Sequence, residues 1–178
     1  MTPKRIVLGV AGGIAAFKSA SIASRLVQDG HSVSVVLTEN AGRFIGASTF
    51  TALCGSAPVT DGFDPRFPLG PHIELAAGCD LCIIAPATAR VLASCALGLA
   101  DDLLSTLYLN LECPIVFAPA MSTPMWDAAA VQRNVSQLRR DGCHIVGPDA
   151  GWLSCRRTGF GRMAEPESIL NACREWLT

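Results

Sequence analysis

A chain of 178 residues, half of them hydrophobic and only 16% charged, is expected to bury a full core as one domain over 1–178 without disulfide or metal staples. The formal net charge of −1 provides no long-range attraction to nucleic acid or to an anionic lipid surface, so neither is expected as a partner. The eight cysteines are scattered and often sit in apolar runs, which reads as reduced thiols in a cytoplasmic protein rather than a disulfide framework.

The first residues, MTPKR, lead straight into an apolar β-branched run, with no separate signal region expected. Residues 5–10 predict a strand, and 14–29 a helix stopped by Gly30. The junction GVAGGIAAFK over 9–18 places Gly9, Gly12, Gly13 and Ile14 where a strand turns into a helix. Glycines let a ligand approach the backbone there, and the free N–H groups of a helix start attract phosphate. The pattern is neither a dinucleotide fingerprint nor a P-loop, and any tight strand-to-helix turn also favours glycine. Residues 32–37 predict the second strand, ending at Thr38, whose hydroxyl suits an N-cap as well as a phosphate. A helix follows over 41–53, with Phe44 near its start.

A proline-rich stretch over 63–72 delivers His72 to the start of a helix at 72–76. His31 and His144 stand at turn-to-strand positions with no chemistry implied. Residues 81–100 carry a single charge and are long enough to span a bilayer. Arg90 near the centre costs about 2.5–3.5 kcal/mol there, and Pro86 interrupts the run. A strand at 81–85, a turn at 86–88 and a helix at 89–97 explain the same residues without a membrane. Cys79 and Cys82 match C-x-x-C but lack a second pair or spaced histidines, so core packing and no metal are expected. A helix over 101–109 and a strand over 114–118 lead to APAMSTPMW at 118–126. There Met121, Met125 and Trp126 are either core or, with Ser122 and Thr123, an apolar wall with polar hooks.

A helix over 124–140 and a short strand over 144–146 precede GWLSCRRTGFGRMAEP at 151–166, and a last helix covers 165–177. This glycine-punctuated loop sets Cys155 beside Arg156, Arg157 and Arg162. Positive neighbours raise a thiol's thiolate fraction, and arginine forks suit a carboxylate or phosphate. Alternating strands and helices predict a three-layer α/β/α architecture, Rossmann-like in the flavodoxin-like manner, around a mostly parallel sheet. Ligands then sit beyond the C-terminal strand ends, near 9–13, 38–44, 86–90 and 119–126.

Taken together, GVAGGIAAFK (9–18), TENAGRF (38–44), PHIELA (71–76), APAT (85–88), GLADDLLS (98–105), PAMSTPMW (119–126) and CRRTGFGRMAEP (155–166) resemble the homo-oligomeric flavin-containing cysteine decarboxylases over essentially the whole chain. The resemblance implies FMN bound between subunits of a homotrimer, or a higher multiple. Its cofactor-binding positions would be Gly9, Gly12, Gly13, Ile14, Thr38, Phe44, Ala85, Thr88, Ser105 and Met121. It implies oxidation of a substrate cysteine to a thioaldehyde, which accepts electrons as CO₂ leaves and yields an enethiol. His72 matches the family's catalytic histidine, and Ser122 and Cys155 are the other catalytic candidates. Met125, Trp126, Arg90 and Arg162 would bind the small-molecule substrate. A loop cysteine such as Cys155 marks the coenzyme A branch, which converts 4′-phosphopantothenoylcysteine to 4′-phosphopantetheine. A peptidyl-cysteine oxidative decarboxylase and a non-catalytic flavin-binding regulatory protein are the alternatives. Three positions depart from the family pattern: Ser122 and Arg90 stand where asparagines are usual, and Arg156 replaces a glycine.

Overall fold

The computed structural model describes residues 2–178. Five parallel strands form one sheet: β1 (Arg5–Val10), β2 (Ser32–Leu37), β3 (Leu81–Ala87), β4 (Ile115–Pro119) and β5 (His144–Ile145). Their order, β2-β1-β3-β4-β5, is the flavodoxin-like arrangement, with its reversal point between β1 and β3. β1 and β2 pair in register from Arg5 opposite Ser32 to Val10 opposite Leu37. Val59 extends the outer edge through bonds with Val35 and Leu37, so β2 is not left bare.

Strand periodicity separates two cores. Ile6, Leu8 and Val10 of β1 face α1 (Ala16–Gln28), Phe50 of α2 (Ala47–Cys54), and the terminal helices α8 (Pro166–Ala172) and α9 (Arg174–Leu177). Val7 of β1 faces the other way, toward α3 (Pro71–Ala76), α4 (Ala89–Leu97), α5 (Leu103–Asn110) and α7 (Ala129–Arg140). The expected three layers are therefore present. β3 is buried along its whole length, as a central parallel strand must be, which accounts for the apolar run that invited a membrane reading. Among the described residues, no helix is long and apolar enough to cross a membrane.

The structure breaks three predicted helices. The one expected over 41–53 is a 3₁₀ turn, Glu39–Arg43, followed by α2, because Gly46 is extended (φ −74°, ψ 146°). That over 124–140 divides into α6 (Thr123–Trp126) and α7 around Ala128 (φ −60°, ψ 129°). That over 165–177 divides at Cys173, which is fully buried. The glycine-rich loop after β5 is an antiparallel hairpin, β6 (Asp149–Trp152) and β7 (Thr158–Arg162), outside the main sheet.

Candidate active site

Four hydrogen bonds knit the C-terminal strand ends into one edge. Thr38 Oγ1 accepts from Gly12 N–H at 3.2 Å. Ala11 N–H donates to Pro86 O at 3.2 Å, and Ala120 N–H to Ala87 O at 3.0 Å. Met121 N–H donates to Gly161 O at 2.9 Å, which attaches the hairpin to the same edge. Segments far apart in the sequence thus converge at the β1/β3 reversal point, where open α/β sheets hold their ligands.

At that point the first turn forms a cradle. A side chain on Gly12 would place its Cβ 2.5 Å from Asn40 Cβ and 2.7 Å from Asn40 C, so only glycine lets the turn close on the 3₁₀ segment. α1 begins with neither a side-chain cap nor an acidic residue in its first turn. The N–H groups of Gly13, Ile14 and Ala15 make no hydrogen bond among the described residues. Thr38 is at N-cap position, yet its hydroxyl holds Gly12 instead of capping. The arrangement suits an anionic oxygen group by donor chemistry and helix polarity. Ile14 and Phe44 lie exposed beside it, whereas Thr88 meets Gly13 from the β3 side. Gly9 differs from expectation: its Cβ position is 2.6 Å from Leu104 Cδ1, so it serves helix–sheet packing under the cradle.

The hairpin docks on the loop after β4. Thr123 Oγ1 donates to Phe160 O at 2.6 Å. Gly159 and Gly161 admit this contact, since side chains there would meet Thr123 Oγ1 and the Met121 carbonyl respectively. Ser122 starts α6 in extended conformation, and its hydroxyl does not cap the helix. Met125 beside it is exposed, whereas Trp126 packs against the core and its carbonyl accepts from Gln132 Nε2 at 2.6 Å. Cys155 occupies the exposed hairpin tip. Arg156 N–H donates to Leu153 O and Leu153 N–H to Arg157 O, leaving Arg156 left-handed at φ 61°. This is the turn-plus-left-handed-residue form of a three-residue hairpin, a position that favours glycine. Arg156→Gly is therefore expected to stabilise the chain by about 0.5–1 kcal/mol, read as a rise in the denaturation midpoint. An unchanged or lower midpoint would argue that this arginine is held by contacts that offset its strain.

Several expected ligand groups are engaged within the chain. Arg90 pairs with Asp101 at 2.9 Å and Asp102 at 3.0 Å, so its fork is occupied. Ser105 is buried in the capping box of α5, accepting from Asp102 N–H and donating to its carboxylate. Ala85 lies beneath the surface, its carbonyl accepting from Ser19. Arg162 pairs with Glu165, which also takes Lys18 Nζ at 3.0 Å. Lys18 Nζ donates in addition to Met163 O at 3.1 Å, tying α1 to the base of the hairpin.

The Lys18 hydrogen bond, with a smaller contribution from Arg162, holds the Glu165 carboxyl below the usual glutamate range. A depressed carboxyl stabilises the fold above its unfolded value, about 4.3, and loses that contribution as pH falls through the folded value. Lys18→Met is expected to cost about 1–2 kcal/mol near neutrality, because Met163 O loses its donor and the ion pair is half exposed. The gap from the parent chain should narrow below about pH 4 in denaturant titrations. A gap independent of pH would remove Glu165 from the explanation.

His72 does not join the cluster within one chain. Its carbonyl accepts from Asn110 Nδ2 at 3.1 Å, and Asn110 ends α5 just ahead of β4, toward the opposite edge of the sheet. Sequence reasoning missed Thr123 and Lys18 as anchors of the hairpin. The alternating Gly159-Phe160-Gly161 was the available signal, because glycines within a strand pattern mark close backbone approach.

The Flavoprotein family model matches residues 1–178. The chain belongs to the Flavoprotein family. Within it, the chain is 46% identical over 167 residues to the coenzyme A biosynthesis bifunctional protein CoaBC of Mycobacterium tuberculosis, covering 94% of this chain and 40% of that protein. The corresponding Bacillus subtilis protein is 44% identical over 168 residues, with 94% and 41% covered. This Flavoprotein chain thus spans about two fifths of the length of these curated relatives. Its fold matches a cysteine-to-serine variant of PPC decarboxylase complexed with pantothenoylaminoethenethiol, at TM-score 0.87, 27% identity and 98% of both chains. It matches the FMN-dependent cysteine decarboxylase SpaF at TM-score 0.81 and 34% identity, with 96% of this chain and 97% of that chain covered.

Proposed function

We propose that this chain, acting as one domain over 1–178, is an FMN-dependent decarboxylase converting 4′-phosphopantothenoylcysteine to 4′-phosphopantetheine in coenzyme A biosynthesis. The observation that carries the reading is a thiol-bearing hairpin docked on the Ser122 loop, at the strand edge that also holds an anion cradle. The likeness to the CoaBC proteins supports the same branch. The N–H groups of Gly13, Ile14 and Ala15, with the Thr38 hydroxyl, would hold the FMN phosphate. When bound, FMN supplies a reversible two-electron oxidation of the substrate cysteine.

The chain's own residues do the rest. Ser122, with its hydroxyl uncommitted, binds the substrate carboxylate, and Met125 offers an apolar surface beside it. His72 moves a proton through a ring nitrogen. Cys155 delivers the proton that accompanies reduction of the enethiol. Arg90 shapes the edge through its acidic partners instead of gripping an anion.

His72 reaches this site from a second copy in our reading, in a cytoplasmic homotrimer. Two separate apolar patches support that assembly. One comprises Ile14, Phe17 and Phe44 beside the cradle. The other comprises Ile73, Leu97, Leu99 and Leu109, joined by the Asn110–His72 bond. Two unlike patches that meet head to tail generate a ring when the rotation closes, and not a two-fold dimer. A mass about three times 18.7 kDa in light scattering is expected, and a monomer would remove the source of His72.

The test is anaerobic mixing of the purified protein with 4′-phosphopantothenoylcysteine, following flavin absorbance and product mass together. Phosphopantetheine is the expected product. A product two hydrogens lighter favours the oxidative peptidyl-cysteine reading. A yellow protein that gives no product refutes this substrate, and peptides ending in cysteine then separate a peptidyl-cysteine decarboxylase from a flavin-binding regulatory protein.

A further inference from the structure

Outside the candidate site, two thiols meet at the other end of the sheet. Cys79 stands two residues before β3 and Cys113 two residues before β4, the neighbouring parallel strand. Cys113 Sγ–H donates to Cys79 Sγ at 3.5 Å. Both residues are partly exposed, unlike Cys82 and Cys173, which are fully buried. A disulfide needs its sulfurs about 2.05 Å apart, so closing the pair takes a further approach of about 1.5 Å. We propose that Cys79 and Cys113 are a redox-modifiable dithiol, closing to an intrachain disulfide by exchange with a small disulfide of the glutathione type.

The chemistry divides between the two sulfurs. The hydrogen bond from Cys113 holds the Cys79 thiol below the usual cysteine range, against the opposing effects of burial and of Asp80. The same bond, with burial, pushes Cys113 up. Cys79 is accordingly the attacking thiolate and Cys113 the resolving thiol. Attack by Cys79 Sγ breaks the S–S bond of the small disulfide, forms a mixed disulfide and releases one thiol. Cys113 then gives its proton to solvent and attacks Cys79 Sγ, and the second thiol leaves. The protein pair loses two electrons, which the small disulfide gains.

Dithiol modification here leaves the Ser122 and Thr38 side of the sheet untouched. The full chain is incubated with oxidised glutathione near neutral pH, remaining thiols are alkylated, and peptides are mapped by mass. A linked peptide pair containing Cys79 and Cys113, abolished by dithiothreitol, is expected as the dominant product at these positions. Exposed Cys155 acts as the internal control and carries a mixed disulfide. In Cys113→Ser the glutathione should remain on Cys79. Alkylated Cys79 and Cys113 alongside a glutathionylated Cys155 would overturn the proposal. So would mixed disulfides on both residues without a link.

Discussion

Gly161→Ala should lower the melting temperature by about 6–12 °C and release the hairpin from the Ser122 loop. Gly161 is buried, with φ at 130°, a conformation that side-chain-bearing residues rarely adopt. A Cβ there would overlap the Met121 carbonyl oxygen, which belongs to the backbone and cannot swing away. Relieving the overlap breaks the Met121 N–H to Gly161 O bond and weakens Thr123 to Phe160. Strain and lost bonds together cost about 3 kcal/mol, and each kcal/mol shifts the midpoint by roughly 2–4 °C in a chain of this size. Proteolysis near the hairpin tip should rise in parallel. Gly42→Ala is the control, since its Cβ position meets nothing within 4 Å. Equal melting temperatures and equal proteolysis for the two variants would show that the docked hairpin contributes nothing.

Cys155→Ser should stop the proposed reaction one step short. CO₂ release is retained, because the thiol takes no part before the enethiol forms. Phosphopantetheine formation falls by about a hundredfold or more, the usual scale for loss of a positioned proton donor. The accumulating product is two hydrogens lighter than phosphopantetheine. Undiminished phosphopantetheine from the variant would assign the proton to another group and detach the hairpin from the reduction.

These two residues differ in how legible they were. Cys155 stood out from its sequence neighbours alone, as a thiol among arginines in a glycine-marked stretch. Nothing local distinguished Gly161 from any turn glycine, because its constraint comes from Met121, forty residues earlier. The same division runs through the anchors. Lys18 follows a glycine turn, yet it is buried against Met163 and Glu165 on a distant segment. Arg90 and Arg162, free cations by composition, find their carboxylates only when the chain folds.

Hydropathy period and turn chemistry act over a few residues, so the sequence by itself determined the five strands of the main sheet, most of the helices and the three-layer class. It also pointed to the strand-end segments that converge at one edge of the sheet, because glycine turns and hydroxyls at strand ends are local features. Tertiary structure alone decided that Thr38 closes on Gly12, that the Cys155 stretch is a hairpin docked at Ser122, and that Gly9 serves packing. It also decided that His72 lies away from the site within one chain. Each of these depends on where two remote backbones meet, and that meeting is set by packing of the whole sheet and its helices, not by any residue's own preferences.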